Sequence, residues 1–133
     1  MKLILRSISV LILLLALCTV SAFARETRAQ PLPKLLDLGA HKCIPCKKMA
    51  PILVELEQDY KGVFAVEFID VWKKENRARA KKYKVRMIPT QIFFDAAGKE
   101  LWRHAGFLSK MDILRQWRKL GYEFKIPSSD RRK

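Results

Sequence analysis

The sequence has few of the residues that build metal centres. Its 133 residues include three cysteines and two histidines, His41 and His104. A structural zinc site takes four ligands, and neither histidine lies at a paired spacing. Covalent haem attachment needs a histidine directly after the second cysteine of a C-x-x-C pair, and Lys47 stands there after Cys46. We therefore expect no metal and no cofactor.

Acidic residues are also scarce, with 13 Asp and Glu against 27 Lys and Arg, which gives a formal net charge of +14. The length allows one small domain and excludes a multidomain enzyme. The sequence contains no internal repeat and no low-complexity segment. No base-reading motif accompanies the positive charge, so we expect no nucleic-acid partner.

Residues 1–24 have the three parts of a secretory signal peptide. Lys2 and Arg6 provide the positive start, an apolar stretch follows from Ile8 to Val20, and Ala22-Phe23-Ala24 forms an A-x-A cleavage site. We expect cleavage after Ala24 and export to a bacterial periplasm.

Two other fates of this segment stay open. Residues 7–24 are uncharged and nearly reach the roughly 20 residues of a membrane-spanning helix, so an uncleaved segment would be a membrane anchor. A lipid on Cys18 is the less favoured alternative, because Leu17 before it is not a small residue.

Removal of residues 1–24 leaves two cysteines, Cys43 and Cys46, with 25 basic and 13 acidic residues and a net charge of +12. Structural disulfides of small secreted domains usually join distant segments. A bridge between these two cysteines closes a very short loop and constrains little of the unfolded chain. The spacing favours a chemical role, and a purely structural disulfide remains the alternative.

The pattern of apolar residues predicts an α/β domain over residues 34–121, between a polar lead-in at 25–33 and a basic tail at 122–133. Strands are predicted at 35–38, 63–69, 90–94 and 100–105. Helices are predicted from Ile44 to Tyr60 with Pro51 inside, from an Asn76 cap to about Tyr83, and from a Ser109 capping box to Gly121. This order predicts a mixed sheet covered on both faces.

The Cys43-Ile44-Pro45-Cys46 motif lies where the first strand gives way to the first helix. Free amides and the dipole at a helix N-terminus favour a thiolate on Cys43. Cys46, one turn inside the helix, is expected to be the less exposed sulfur. Further positive charge is expected from the neighbouring His41, Lys42, Lys47 and Lys48.

Four segments in the right order resemble the thioredoxin family. Residues 43–51 are similar to its active-site motif and kinked helix, and Asp37, six residues before Cys43, matches its buried acid. Residues 82–90 resemble the segment with its cis-proline, and Gly106 with Ser109-Lys110 resembles the glycine and helix start after its hairpin. The resemblance implies a small secreted protein with a three-layer fold, in which three helices flank a minimal four-stranded mixed sheet.

The resemblance also implies roles for individual residues. Cys43 would attack a client disulfide, and Cys46 would resolve the mixed disulfide. Asp37 would be buried with a raised pKa and would exchange a proton with Cys46. Pro89 would be cis and lie against the active disulfide. Contacts with the client are implied for Ile44, Pro45, Ile88 and Gly106.

Some positions depart from the family pattern. Lys42 replaces the tryptophan that commonly precedes the first cysteine, and Lys84 stands where a glycine is common. The lysine that often neighbours the buried acid is missing, since the matching strand offers Glu67 or Phe68. Proton handling at Cys46 is therefore expected to differ.

The Cys43/Cys46 pair and the resemblance to the thioredoxin family together predict a thiol-disulfide oxidoreductase that acts on exported clients. Pro45 and Ile88 resemble reducing thioredoxins more than strong oxidants, which favours a reductant or disulfide exchanger. An upstream thiol electron donor or acceptor is implied, either soluble or membrane-bound. The alternative function is a thiol-dependent binding or metal-delivery module for a respiratory or cytochrome-maturation client.

The remaining charge is concentrated between Lys73 and Arg86, with eight basic residues and one acid, Glu75, and in the last three residues, 131–133. This pattern is typical of a solvated surface. It also fits docking to an acidic protein or to anionic lipid headgroups, where each charge contributes about 1 kcal/mol. We expect a monomer.

Overall fold

The computed structural model describes residues 31–124, so the predicted signal peptide, residues 25–30 of the lead-in and residues 125–133 of the tail lie outside the described residues. The predicted element order is confirmed. The strands are β1 (Lys34–Gly39), β2 (Ala65–Asp70), β3 (Thr90–Phe94) and β4 (Glu100–Ala105), and the helices are α1 (Ile44–Asp59), α2 (Arg77–Lys82) and α3 (Lys110–Lys119).

Strand β1 lies inside a four-stranded sheet of order β2-β1-β3-β4. It runs parallel to β2 and antiparallel to β3, and β3 pairs antiparallel with β4. Five of the six residues of β1 are buried, which explains its continuous apolar run. The one acidic residue in that run, Asp37, is therefore buried in the interior by the fold.

Alternate residues of β1 face opposite layers, as in any strand. Leu35 packs with Phe93 of β3 and with the buried faces of α1 and α3, around Trp117. Leu36 and Leu38 pack on the other face, where Tyr83 at the end of α2 covers them. The mixed sheet covered on both faces is confirmed.

Local sequence explains where α3 begins. The Ser109 hydroxyl oxygen accepts a 3.2 Å hydrogen bond from the backbone N–H of Asp112, which satisfies one of the free amides of the first turn. The predicted cap is therefore confirmed. Pro51 lies inside α1, as the sequence indicated.

The predicted side-chain cap of α2 is wrong. Asn76 makes no capping hydrogen bond, because a 3-10 turn over Lys74–Asn76 precedes the helix. The Asn76 side-chain amide instead donates a 2.9 Å hydrogen bond to the backbone oxygen of Asp70. It ties the end of β2 to the turn before α2.

The packed unit continues past the predicted boundary at residue 121. Tyr122 and Phe124 are partly buried against the core, with their rings 5.1 Å and 5.9 Å from that of Trp117. Within residues 31–124, none of the helices combines the length and apolar character needed to span a bilayer.

Candidate active site

Cys43 and Cys46 form a disulfide at the start of α1, with their Cα atoms 5.2 Å apart. Cys43 is the residue that caps the helix, and its sulfur accepts a 3.4 Å hydrogen bond from the backbone N–H of Cys46. Pro45 occupies the first turn, where its missing N–H leaves no hydrogen bond broken. The geometry places Cys43 where unpaired amides stabilise a thiolate.

Both cysteines are largely covered, and Cys46 is the more buried. The exposed fraction is 9% for Cys43 and 4% for Cys46. Ala40 and the half-buried Ile88 pack against the pair. Ile44 between the cysteines is 73% exposed, so the motif presents an apolar side chain to solvent beside the disulfide.

Gly39 at the end of β1 allows Cys46 to approach the sheet closely. A Cβ atom at this position would lie 3.2 Å from both Cβ and Sγ of Cys46 and 3.1 Å from Cε2 of Phe68. Such contacts are closer than ordinary carbon packing allows. Because Gly39 has no side chain, Cys46 can pack directly onto β1 at this distance.

Asp37 is fully buried two residues before Gly39. Both residues face α1, since positions two apart in a strand lie on the same side. Burial raises the pKa of Asp37 from its usual 3.8 to about 6, and a hydrogen bond from Gln91 lowers it in part. The acid expected from the sequence therefore lies inside the domain, under the start of α1.

Gln91 is a site residue that sequence reasoning missed. It pairs directly with Asp37 in the β1–β3 register, and its Nε2 donates a 2.8 Å hydrogen bond to Asp37 Oδ1. On the other side of Asp37, the register places Phe68 of β2, which resolves the choice between Glu67 and Phe68. Both neighbours depend on the pairing of β1 with distant strands, which no local sequence signal shows.

The peptide bond between Ile88 and Pro89 is cis. The carbonyl oxygen of Pro89 accepts a 2.7 Å hydrogen bond from the N–H of Gly106, and the hydroxyl of Thr90 donates to the Met87 oxygen at 2.6 Å. These bonds fix the backbone on both sides of the proline. Ile88 is thereby held against the cysteine pair.

Exposed apolar side chains near Ile88 are a second feature that the sequence did not reveal. Trp72 is 58% exposed and Met87 is 60% exposed, and both line a cavity of about 310 Å³ that also contacts Ile88 and Arg86. The backbone N–H of Trp72 donates a 3.0 Å hydrogen bond to Asp70. Trp72 thus supplies an aromatic surface near the site, although Lys42 replaces the tryptophan before Cys43.

The charges around the site are partly neutralised within the domain. Nε2 of His41 lies 3.7 Å from Oδ2 of Asp70, so a protonated His41 would be offset by that carboxylate. Arg79 in the basic segment forms an ion pair with Glu67 of β2. The other basic residues of the segment are exposed: Lys73, Lys74, Arg77, Lys81, Lys82, Lys84 and Arg86.

No group of three or more potential metal ligands occurs within residues 31–124.

Comparisons with known proteins agree on one family. The thioredoxin family model matches residues 15–119. Thioredoxins of Staphylococcus epidermidis and Staphylococcus aureus are 41% and 40% identical to this chain over 80 residues, which cover 60% of this chain and 74% of each relative.

Solved structures show the same fold. The germline-specific thioredoxin Deadhead of Drosophila melanogaster superposes with a TM-score of 0.59 at 32% identity, over 69% of this chain and 84% of that chain. Thioredoxin O2 of Arabidopsis thaliana in its oxidized state gives a TM-score of 0.56 at 23% identity, over 68% and 76%.

Proposed function

The chain belongs to the thioredoxin family and is a thiol-disulfide oxidoreductase, and we propose that it reduces or exchanges disulfides in exported client proteins. One observation supports thiol-disulfide exchange at this site. Cys43 caps α1, with Cys46 one turn behind it and the cis Ile88–Pro89 bond beside the pair. This geometry favours a nucleophilic thiolate at Cys43 and keeps a second sulfur within bonding distance of the first.

The proposed reduction proceeds in two exchanges. The Cys43 thiolate attacks one sulfur of the client disulfide, and the other client sulfur leaves as a thiolate that takes a proton from water. Cys46 then attacks Cys43, which releases the second client sulfur. The client gains two electrons and two protons, and the Cys43–Cys46 pair is oxidised. A thiol electron donor must reduce the pair again.

Client proteins are proposed to dock on the exposed apolar surface near the disulfide. Ile44, Trp72 and Met87 supply this surface, and a client strand would pair with the backbone at Ile88. Pro45, next to Ile44 in the chain, and Gly106, hydrogen-bonded to Pro89, are proposed to border it. Arg86 lines the same cavity as Trp72 and Met87, so the exposed basic residues between Lys73 and Arg86 favour clients with acidic segments over anionic membranes.

Trapping of mixed disulfides tests the reaction. In a Cys46→Ala variant Cys43 can attack a client but nothing resolves the product, so covalent complexes should accumulate and disappear on reduction. The matched control is Cys43→Ala, which retains Cys46 and should trap far fewer proteins. Partners retained without a covalent bond would instead favour the binding or metal-delivery alternative.

The direction of electron flow is proposed to be reducing. Pro45 precedes Cys46 and Ile88 precedes Pro89, a combination similar to that of reducing thioredoxins. We expect a reduction potential nearer about −270 mV than about −120 mV, which a titration against glutathione measures. A value at the oxidising end would overturn the proposed direction and leave the exchange chemistry intact.

Export is proposed from residues 1–24. Expression of the full chain in a bacterium should yield a periplasmic protein that begins at Arg25, and mass spectrometry of the purified protein identifies its first residue. Retention of residues 1–24 in the membrane fraction would support the anchored alternative. A full-length protein in the cytoplasm would contradict both.

A further inference from the structure

We propose that Gln91 is a positioning residue in the exchange reaction: its amide holds one oxygen of Asp37 and leaves the other to exchange a proton with Cys46. The proposal rests on the disulfide exchange proposed above. It assigns a role to a residue that neither the C-x-x-C motif nor the cis-proline segment contains.

The hydrogen bond between the two side chains determines which Asp37 oxygen is available. Asp37 and Gln91 are fully buried, and Nε2 of Gln91 donates to Oδ1 of Asp37 at 2.8 Å. Oδ2 of Asp37 and Oε1 of Gln91 have no hydrogen-bond partner among the described residues. Buried polar atoms are usually paired, so an unpaired carboxylate oxygen beneath the redox pair calls for a functional explanation.

The sheet brings the side chain of Asp37 to the same layer as Cys46. Asp37 and Gly39 face α1 and are separated by one strand repeat, roughly 7 Å along β1. The position of a Cβ at Gly39 would lie 3.2 Å from Cys46 Sγ, so Cys46 sits over this face just beyond Asp37. In the proposed reaction the proton passes between Asp37 and Cys46 directly or through one water molecule.

Among the described residues, no charged side chain forms an ion pair or a hydrogen bond with Asp37. Strand β2 presents Phe68 beside it, strand β3 presents Gln91, and α1 turns Cys46 and Met49 toward this face. The pKa of Asp37 therefore depends on burial, which disfavours the carboxylate and raises the pKa, and on Gln91, which stabilises the carboxylate and lowers it. Gln91 replaces part of the hydration that a buried carboxylate loses.

The proton transfer fits the second exchange. The Cys46 thiol gives its proton to Asp37 as its sulfur bonds to Cys43, and the bond between Cys43 and the client sulfur breaks. The client leaves with that electron pair as a thiolate and takes a proton from water. Asp37 later returns its proton to solvent, or to Cys46 when the pair is reduced again. No further oxidant or reductant enters this step.

The test measures how fast Cys46 resolves a mixed disulfide across a range of pH. The reduced protein reacts with a limiting amount of an aromatic disulfide such as Ellman's reagent. Attack by Cys43 releases one coloured aromatic thiolate and leaves the other half of the reagent bound to Cys43 as a mixed disulfide. Resolution by Cys46 then releases the second coloured thiolate. The variant is Gln91→Met, which keeps the length of the side chain and removes the amide. A hydrogen bond to a charged group is worth enough to shift the pH profile upward by about one to two units.

At pH 7 that shift lowers the ionised fraction of Asp37, and with it the resolution rate, by about two- to tenfold. The wild-type and variant rates should converge above pH 9. Phe93→Leu is the matched control, since it alters packing on the same face of β3 without touching the amide. A Gln91→Met profile that shifts no more than the control overturns the proposal.

A double mutant separates positioning from a general loss of packing. If Gln91 acts through Asp37, Gln91→Met should not shift the pH profile further in an Asp37→Asn background. An equal shift in both backgrounds overturns the proposal. Should Gln91→Met fail to fold, Gln91→Asn retains the amide on a shorter side chain and should give an upward shift of the same sign.

Failure of this proposal is distinguishable from failure of the proposed function. A wild-type protein that exchanges with no disulfide refutes the exchange itself. A protein that exchanges normally, with the same pH profile in wild type and Gln91→Met, refutes only the role of Gln91.

Discussion

The side-chain amide of Gln91 donates a 2.8 Å hydrogen bond to the carboxyl group of Asp37 across β1 and β3, and neither side chain reaches solvent. An isolated buried carboxylate is costly, and one amide compensates for only part of the lost hydration. The pKa of Asp37 accordingly remains raised, at about 6. An acid at this position lowers the stability of the folded protein at neutral pH, which favours a functional reason for its presence.

Asp37→Asn should therefore stabilise the oxidised protein at high pH. The pKa of Asp37 is about 6 in the folded protein and about 3.9 in the unfolded chain. Between these values the folded state binds more protons, so the wild-type free energy of unfolding falls as the pH rises from 4 to 6. The shift of about two units corresponds to about 3 kcal/mol.

Urea unfolding at pH 3.5 and pH 8 measures this effect. The stability of Asp37→Asn relative to wild type should increase by about 3 kcal/mol between the two pH values. Asparagine keeps an oxygen that can accept from Gln91, so the comparison isolates the charge. Glu57→Gln, an exposed position on α1, controls for the loss of one negative charge, and an equal change there would contradict the prediction.

Gly39→Ala should destabilise the oxidised protein. The new methyl group would meet Phe68 at 3.1 Å and both Cβ and Sγ of Cys46 at 3.2 Å, so α1 or the Phe68 ring must shift. Overpacking of this kind costs about 1–3 kcal/mol. Thermal unfolding measures the loss, and addition of Phe68→Ala should recover part of it. Wild-type stability in Gly39→Ala would show that the pair is not closely packed on β1.

Trp72→Ala should weaken docking of protein clients and leave the chemistry unchanged. The indole lines the cavity beside Ile88, so its loss should raise the KM for a disulfide-containing protein about three- to tenfold. Reduction of a small aromatic disulfide should proceed at the wild-type rate. Val63→Ala removes an exposed side chain ahead of β2, at the opposite end of the strand from Asp70, and serves as the control. Equal effects of the two variants would argue against docking at Trp72.

Ser109→Ala should lower the free energy of unfolding by about 0.5–2 kcal/mol, because the N–H of Asp112 loses the hydroxyl that caps it. Ser109→Asn restores a capping oxygen and should recover most of the loss. Chemical denaturation of the three proteins provides the comparison. If alanine and asparagine have the same effect, the cap contributes nothing to stability.

The sequence predicts much of this domain because its strongest signals are local. The C-x-x-C motif, the apolar spacing of α1 and the Ser109 cap each depend on residues within a few positions of one another. The mixed sheet covered on both faces followed from the alternation of strands and helices. The side-chain cap at Asn76 failed because the 3-10 turn before α2 gave its amide a competing partner at Asp70.

Features that depend on pairing between distant segments could not be predicted. Gln91 is 54 residues from Asp37, and only the antiparallel register of β1 and β3 brings the two together. The same holds for Phe68 beside Asp37 in β2. A polar residue in a strand pattern such as Thr-Gln-Ile-Phe-Phe usually indicates a solvent-facing position, whereas Gln91 is fully buried.

The three-residue separation of Cys43 and Cys46 also links redox chemistry to folding. Oxidised and reduced protein, each folded or unfolded, form a closed thermodynamic cycle. Because the unfolded pair behaves as a short dithiol peptide, the folded environment alone moves the potential away from the peptide value. Each ~1.4 kcal/mol by which the fold prefers the dithiol raises the potential by about 30 mV. Denaturation curves of the two forms, compared at one pH, therefore yield the difference between the reduction potential of the folded protein and that of the unfolded pair.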